Sequence, residues 1–229
     1  MRRTGTPENM ALRRAERWRP PLFTPLDTRR ARIIAVVRRF FDLQAGSLWR
    51  HLAPVLSGVE GTLADVGCGA QPYRRLVRAS TRYVGIDTDR ARDHFGYDLP
   101  DVRAIRAGER WPLQDGEADV VLATETLEHV PDPNAFLAEA FRVLRPGGQV
   151  ILTTPFAARW HYIPHDHWRF TPSGLRLLLE RVGFERVIVH GRGNELTVAC
   201  HRILALLWPI MLPQGEDGTP HVRPAGLVV

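Results

Sequence analysis

Short apolar runs alternate with more polar segments along most of this chain. The runs contain four or five residues each and are rich in β-branched side chains, at residues 62–66, 83–86, 102–105, 119–123 and 149–153. Unbroken apolar runs of this length are typical of strands buried on both faces. Because helix-forming segments separate several of them, the pattern predicts a parallel α/β sheet.

Proline and glycine mark where the predicted helices begin and end. Asp132-Pro133 and Thr171-Pro172 each place a capping side chain before a proline that suits the first helical turn. The resulting helices are predicted over 133–144 and 172–182, with the first closed by Gly147-Gly148 and the second by Gly183. A further crossover helix is predicted over 72–78.

The first 57 residues show no strand pattern. Residues 1–26 hold four prolines and no sustained periodicity, so we predict a flexible basic arm. Residues 28–43 repeat apolar side chains at helical spacing, and a second short helix is predicted over 47–56. The chain is therefore divided into the arm, a helical cap over 27–57 and a sheet-containing domain over 58–229.

The C-terminal part is apolar but interrupted. A sixth strand is predicted over 184–190 and a seventh over 225–229. Residues 196–212 are strongly apolar, contain His201 and Arg202, and are too short and too charged for a membrane span. We favour a helix packed between the last two strands, and peripheral membrane contact or a dimer face are the alternatives.

A glycine-rich bend follows the first apolar run. The run leads into Asp65-Val-Gly-Cys-Gly69, and the second run ends in Asp87, twenty positions after Gly67. This layout of strand, tight turn and carboxylate-tipped strand is typical of nucleoside cofactor binding, in which the acid meets the ribose hydroxyls. A dinucleotide fingerprint needs a third glycine where Pro72 stands. Asp65 would also repel a pyrophosphate but attract an ammonium group.

These motifs resemble the class I S-adenosylmethionine-dependent methyltransferases, in particular the small-molecule enzymes with a type 11 domain. The bend resembles their first motif and Asp87 their ribose-binding acid. Residues 115–130 resemble their fourth strand with its loop, and residues 144–155 the turn into their fifth strand. The resemblance covers about residues 60 to 155. It implies a doubly wound, mostly parallel seven-stranded Rossmann-like sheet with an antiparallel seventh strand and S-adenosyl-L-methionine at its carboxyl edge.

The resemblance also implies which residues contact the cofactor. They lie at or after the ends of the first four strands: Asp65, Val66, Gly67, Cys68, Gly69, Tyr73, Asp87, Thr88, Ala107, Gly108, Thr124, Glu125 and His129. One departure concerns the adenine, since Ala107-Gly108-Glu109 replaces the family's frequent Asp-Ala. Backbone contacts there, with Trp111 nearby, are the expected substitute. Cys68 is expected to be a packing residue.

A histidine-rich loop follows the fifth strand and supplies the candidate bases. An oxygen or nitrogen acceptor must lose a proton on methylation, so a base close to it helps. The candidate catalytic residues are His161, His165, Asp166, His167 and Arg169. Arg169 is a candidate for holding an anionic acceptor, although a structural ion pair between Asp166 and Arg169 is equally compatible. The histidine spacing matches no standard zinc signature, so no metal is expected.

Charge is concentrated at the N-terminus. The net charge is +6, all 31 basic residues are arginine, and residues 1–50 alone hold twelve arginines against four acids. Such an arm can meet nucleic acid or an anionic membrane. A solvated arm is the preferred interpretation, and nucleic acid is not the expected partner because no RNA-binding signature is present. The two cysteines predict free thiols in a reducing cytoplasm, and the protein is expected to be a monomer or homodimer.

The sequence therefore predicts an S-adenosylmethionine-dependent methyltransferase. The expected acceptor is an O, N or C atom of a small or medium molecule, with glycan or lipid-linked metabolites among the candidates. An NAD-dependent reductase, a non-catalytic binding subunit and an RNA methyltransferase are the alternatives.

Overall fold

The computed structural model describes residues 42–88, 101–106, 108–158 and 165–211, with side chains up to residue 204. It also describes three isolated helical positions, Arg29, Ile33 and Val36. The predicted arm, most of the helix over 28–43 and the predicted seventh strand lie outside these residues.

The described residues form one five-stranded sheet in which every strand pairs in parallel. The strands are β1 Thr62–Val66, β2 Arg82–Thr88, β3 Val102–Ile105, β4 Ala118–Thr124 and β5 Leu144–Thr153. Their spatial order is β3-β2-β1-β4-β5. The strand order reverses between β1 and β4, so the loops after these two strands diverge at the carboxyl edge and open a crevice there. The predicted doubly wound α/β class is confirmed.

Within the described residues four complete helices accompany the sheet: α1 Leu43–Leu56, α2 Pro133–Val143, α3 Pro172–Val182 and α4 Glu195–Met211. The predicted caps are confirmed. Asp132 accepts hydrogen bonds from two first-turn N–H groups, and Thr171 accepts one from Gly174. Gly183 ends α3 in the left-handed conformation, with φ +114. The helix predicted over 47–56 is longer, because the Asp42 side chain caps it four residues earlier.

Two predicted features of the helices were wrong. The helix over 72–78 is only a 3-10 turn at Arg74–Leu76, because Val77 returns to an extended conformation. Gly147-Gly148 do not end α2, since Leu144 is already extended and begins β5 by pairing with Ala118.

No strand forms over 184–190, within the part of the chain that is described. Arg186 has φ +51, which breaks the extended run, and Arg176 donates to the Val187 carbonyl that a strand would use for pairing. The prediction that this helix, α4, packs between the last two strands is therefore wrong, because the first of those strands does not form.

Apolar side chains cover both faces of the sheet. On one face Leu63 and Leu122 pack with Leu52 and Leu56 of α1. On the other, strand residues pack with Ala140 and Val143 of α2. Burying each leucine side chain stabilises the fold by about 1.5–3 kcal/mol. These layers leave the carboxyl edge of β1, β2 and β4 as the place where polar side chains gather.

Candidate functional site

The bend after β1 is built from residues in left-handed conformations. Gly67 has φ +72, Gly69 φ +50 and Gln71 φ +53. A Cβ added to Gly67 would lie 2.4 Å from the side chain of Thr126, in the loop after β4. The Gly67 and Cys68 N–H groups both donate to the carbonyl of Ile86. The bend therefore needs glycine at position 67 and is held between the ends of β2 and β4.

Asp87 fastens the end of β2 to this bend. One carboxylate oxygen accepts the Gly69 N–H at 2.7 Å, and the other accepts the Thr88 N–H at 2.7 Å. The residue is buried, at 8% relative exposure. The structure thus brings Asp87, with Thr88 next to it, to the glycine bend, where the resemblance placed a ribose.

Asp65 lies beneath the bend with one oxygen unsatisfied. Its side chain is buried, and the Tyr83 hydroxyl donates to one carboxylate oxygen. Within the described residues the other oxygen has no hydrogen-bond partner. Burial raises the pKa of Asp65 to about 7, with the charge of Asp87 adding to the rise and the Tyr83 hydrogen bond opposing it. A buried carboxylate in need of a partner fits a cationic group such as an ammonium.

Cys68 is a packing residue of the bend. Burial, followed by the charges of Asp65 and Asp87, raises the pKa of its thiol far above the usual value. A nucleophilic cysteine requires the thiolate form. The side chain therefore stays a thiol, which agrees with the packing role expected for it.

Glu125 joins three segments directly after β4. Its backbone is left-handed, with φ +51, and its N–H donates to the Thr153 carbonyl at 2.9 Å. Its carboxylate accepts Nε2 of Gln44 in α1 at 2.5 Å and Nη2 of Arg192, before α4, at 3.2 Å. Sequence reasoning missed Gln44 and Arg192. Their contacts with Glu125 span 81 and 67 residues, and no local pattern signals such contacts.

The next turn, Leu127–His129, carries a buried carboxyl group. Glu128 is fully buried, and neither of its carboxyl oxygens has a hydrogen-bond partner in the described structure. Burial, and then the charge of Glu125, raises the pKa of Glu128 to about 9. Nδ1 of His129 lies 2.5 Å from the carbonyl oxygen of His165, which places a ring proton on Nδ1. Nε2 of His129 lies 3.5 Å from Glu128.

The histidine-rich segment is attached to this turn through its backbone. The N–H groups of His167 and Trp168 both donate to the Glu128 carbonyl, at 2.8 and 3.2 Å. The indole of Trp168 donates to the Val130 carbonyl. The His165 and His167 side chains are exposed and their ring centroids are 5.5 Å apart. Two predicted base candidates therefore lie together at the carboxyl edge of β4.

Asp166 and Arg169 form a two-bond ion pair within the same segment. Arg169 Nη1 bonds Oδ1 of Asp166 and Nη2 bonds Oδ2, the latter at 2.6 Å. The Asp166 side chain is almost fully buried. This arrangement supports the structural-pair alternative for the two residues.

The remaining candidate positions are distributed around the edge. The Tyr73 ring lies 6.3 Å from that of Trp49 in α1, Val66 and Thr124 end their strands, and Gly108 occupies an exposed turn with φ +84. Ala107 and His161 lie outside the described residues. Among the residues described, no group of three His, Cys, Asp or Glu side chains is arranged to hold a metal ion.

Replacing Glu128 with glutamine should flatten the pH dependence of stability. In the folded protein the Glu128 pKa is raised from 4.5 to about 9, so unfolding releases its proton between these values. Unfolding therefore becomes easier as pH rises across that window. We expect the free energy of unfolding of Glu128→Gln, relative to that of the parent, to rise by up to about 1.4 kcal/mol per pH unit between pH 5 and pH 8. Urea unfolding at three pH values measures this.

Glu117→Gln is the matched control for this measurement. The pKa of Glu117 is lowered by a backbone hydrogen bond and by Arg82, so the group is charged in both states above pH 5. A Glu128→Gln curve that runs parallel to the parent, as the Glu117→Gln curve should, would contradict a protonated Glu128.

Comparison with known proteins agrees with the geometry. A family model described as a methyltransferase domain matches residues 28–189. A Mycolicibacterium smegmatis protein named "Probable S-adenosylmethionine-dependent methyltransferase" is 32% identical over 148 residues, which cover 56% of this chain and 55% of the relative. A ubiquinone biosynthesis O-methyltransferase from Pseudomonas paraeruginosa is 34% identical over 110 residues, covering 43% and 46%. The chain thus spans about half the length of these curated relatives.

A solved structure of an S-adenosylmethionine dependent methyltransferase from Mesorhizobium loti is also similar to this chain. The identity is 16% and the TM-score 0.49, over 71% of this chain and 92% of the other.

Proposed function

This chain belongs to the class I S-adenosylmethionine-dependent methyltransferases, and on that premise we propose that it methylates an oxygen, nitrogen or carbon atom of a small or medium-sized acceptor. The observation that carries the proposal is the Asp87 carboxylate fixed against the glycine bend by the Gly69 N–H. S-adenosyl-L-methionine would supply the activated methyl group. The protein then has to bind and orient the cofactor and the acceptor, and to exclude water.

The residues at the bend fit this cofactor. Gly67 and Gly69 keep side chains away from the backbone that the nucleoside would cover. Asp87 would accept hydrogen bonds from the ribose hydroxyls. The unsatisfied oxygen of Asp65 would receive the amino group of the methionine part.

We propose His165 and His167 as the groups that take the acceptor's proton. Both imidazoles are exposed at the edge onto which β4 opens, and backbone bonds to Glu128 fix the segment that carries them. Such proton removal contributes typically 10²–10⁴-fold to a rate. Asp166 and Arg169 hold the segment's shape, and His129 orients it through the carbonyl of His165.

Calorimetry with S-adenosylhomocysteine, the demethylated cofactor, tests the proposal on the unaltered chain. Binding with one site per chain is expected, followed by transfer of labelled methyl groups from S-adenosylmethionine into a cell-extract fraction. No heat from a demonstrably folded chain would end the proposal. Binding without transfer into any fraction would favour a non-catalytic binding subunit.

We further propose that α4 rests on an anionic membrane surface. Leu196, Ile203 and Leu204 are 71%, 55% and 45% exposed, and α1, which follows the arginine-rich N-terminus, packs against α4. Exposed apolar side chains on a surface helix suit the interface of a bilayer, and the twelve arginines among residues 1–50 would favour an anionic one. None of the described helices is long and apolar enough to cross one. The cytoplasm is the proposed compartment, since Cys68 and Cys200 are both free thiols.

Vesicle sedimentation checks the membrane contact. The chain should sediment with vesicles containing about 30% phosphatidylglycerol more strongly than with neutral phosphatidylcholine, and Ile203→Asp should reduce this severalfold. Leu177→Asp, at a similarly exposed leucine of α3, is the matched control. Equal sedimentation of both variants, or a concentration-dependent dimer that Ile203→Asp dissociates, would assign the surface differently.

A further inference from the structure

Arg192, near the carboxyl edge, makes only two side-chain contacts among the described residues, and both are long. Its guanidinium makes one bond to Glu125, at 3.2 Å, and a contact of 3.5 Å with Ser47 Oγ. Both distances are at the long end for such groups. By contrast, Arg169 is bound by Asp166 through two bonds. A guanidinium has five N–H donors in a planar fork, so these two contacts leave Arg192 well short of its capacity.

The surroundings of Arg192 restrict what else could bind there. Its side chain is 17% exposed and that of Glu125 20% exposed, so the pair is largely withdrawn from water but still reachable. Ser47 in α1 supplies a hydroxyl beside the guanidinium. The rings of His51 and His190 lie 6.2 Å apart where α1 meets the chain leading to Arg192. These groups can donate hydrogen bonds, which suits an oxyanion.

The carboxylate that Arg192 binds in the structure belongs to Glu125 of the same chain. Glu125 is a non-glycine residue with φ +51, an uncommon conformation for such a residue. Its other oxygen is held by Gln44, so it offers Arg192 a single oxygen instead of two. A ligand carboxylate or phosphate could present two oxygens to the fork, and two parallel bonds are stronger than one.

We propose that Arg192 and Ser47 form an oxyanion-binding subsite, so that the methyl acceptor carries a carboxylate or phosphate group. The subsite lies between α1 and the chain before α4, beside the first residue after β4. Its assignment to the acceptor rests on the proposed methyl transfer. The acceptor's anionic group binds at Arg192 and holds its nucleophilic atom toward the crevice. The acids of the same edge, Asp65, Asp87 and Glu128, are all buried.

Titration with simple anions tests the subsite without turnover. Benzoate and phenyl phosphate are added to the full chain and compared with neutral benzyl alcohol, by ligand-observed NMR. Both anions should bind the parent, and Arg192→Gln should weaken them about tenfold or more, because a charge-assisted pair is lost. Arg202→Gln, at an exposed arginine of α4, is the matched control and should leave anion binding unchanged.

Glu125→Gln separates a ligand subsite from a purely structural pair. If Glu125 competes for Arg192, its neutral replacement should strengthen benzoate binding severalfold, an effect that a structural ion pair would not produce. Arg192→Lys should restore part of the affinity, and thermal melts report whether each variant is folded. Unchanged benzoate binding in Arg192→Gln, or weaker binding in Glu125→Gln, would overturn the subsite.

Methyl transfer then tests the acceptor class. A small-molecule cell extract is divided on an anion-exchange resin, and labelled transfer is measured into the retained and unretained pools. Transfer should occur into the retained, anionic pool and fall at least tenfold in Arg192→Gln. Transfer into the unretained pool alone would refute an anionic acceptor. Failure of transfer into both pools, with anion titration as expected, would refute the proposed methyl transfer and keep the oxyanion subsite.

Discussion

Gly67→Ala is expected to abolish measurable cofactor binding. The added Cβ would lie 2.4 Å from the Thr126 side chain, and the residue would have to keep φ +72. The left-handed conformation costs an alanine about 1–2 kcal/mol, and the overlap adds about 1–3 kcal/mol if the bend stays in place. The bend is more easily displaced than compressed, which would move the backbone on which we propose that the nucleoside lies. We expect at least a hundredfold weaker binding of S-adenosylhomocysteine by calorimetry.

Gly147→Ala controls for the conformational cost. Gly147 has φ +78, but a Cβ there meets no atom within 4 Å. It should lose about 1–2 kcal/mol of stability and bind the cofactor normally. If both variants bound the cofactor like the parent, the close packing of Gly67 on Thr126 would have no part in the site.

Asp87→Ala is expected to weaken cofactor binding about ten- to a hundredfold or more. Each hydrogen bond to a charged group contributes about 1.5–3 kcal/mol, and the carboxylate is proposed to meet two ribose hydroxyls. The substitution also leaves the Gly69 N–H without its acceptor and loosens the bend. Calorimetry at constant ionic strength measures the loss.

Asp101→Ala is the appropriate comparison for Asp87→Ala. It removes the same charge from Asp101, a half-exposed residue directly before β3 whose carboxylate pairs with Arg74. Its cofactor affinity should equal that of the parent. A similar loss in both variants would point to general electrostatics, and no loss in Asp87→Ala would remove Asp87 from the ribose site.

The sheet was largely predictable because local signals agreed with one another. The apolar runs of β1 and β4 are buried on both faces, and the Asp132 and Thr171 caps were visible in the sequence. The errors arose where contacts with other segments determine the secondary structure. Residues 184–190 have the composition of a strand, but Arg176 binds the Val187 carbonyl and Arg186 adopts a positive φ.

The candidate site was predictable only where its residues are close in sequence. Asp65, Gly67, Gly69 and Asp87 form one recognisable unit, and the structure brings them together. Gln44 and Arg192 converge on Glu125 from distant parts of the chain, so no spacing rule could reveal them. The burial of Glu128 was equally hidden, since a glutamate beside a histidine in a turn usually suggests an exposed position.

The backbone bonds from His167 and Trp168 to the Glu128 carbonyl have a consequence for divergence. Main-chain hydrogen bonds do not depend on which side chain a residue carries, except for proline, which lacks the N–H. Positions 165 and 167 can therefore carry other side chains while the backbone of the segment keeps its conformation. We therefore propose these two positions as starting points for changing the acceptor of the proposed methyl transfer by saturation mutagenesis.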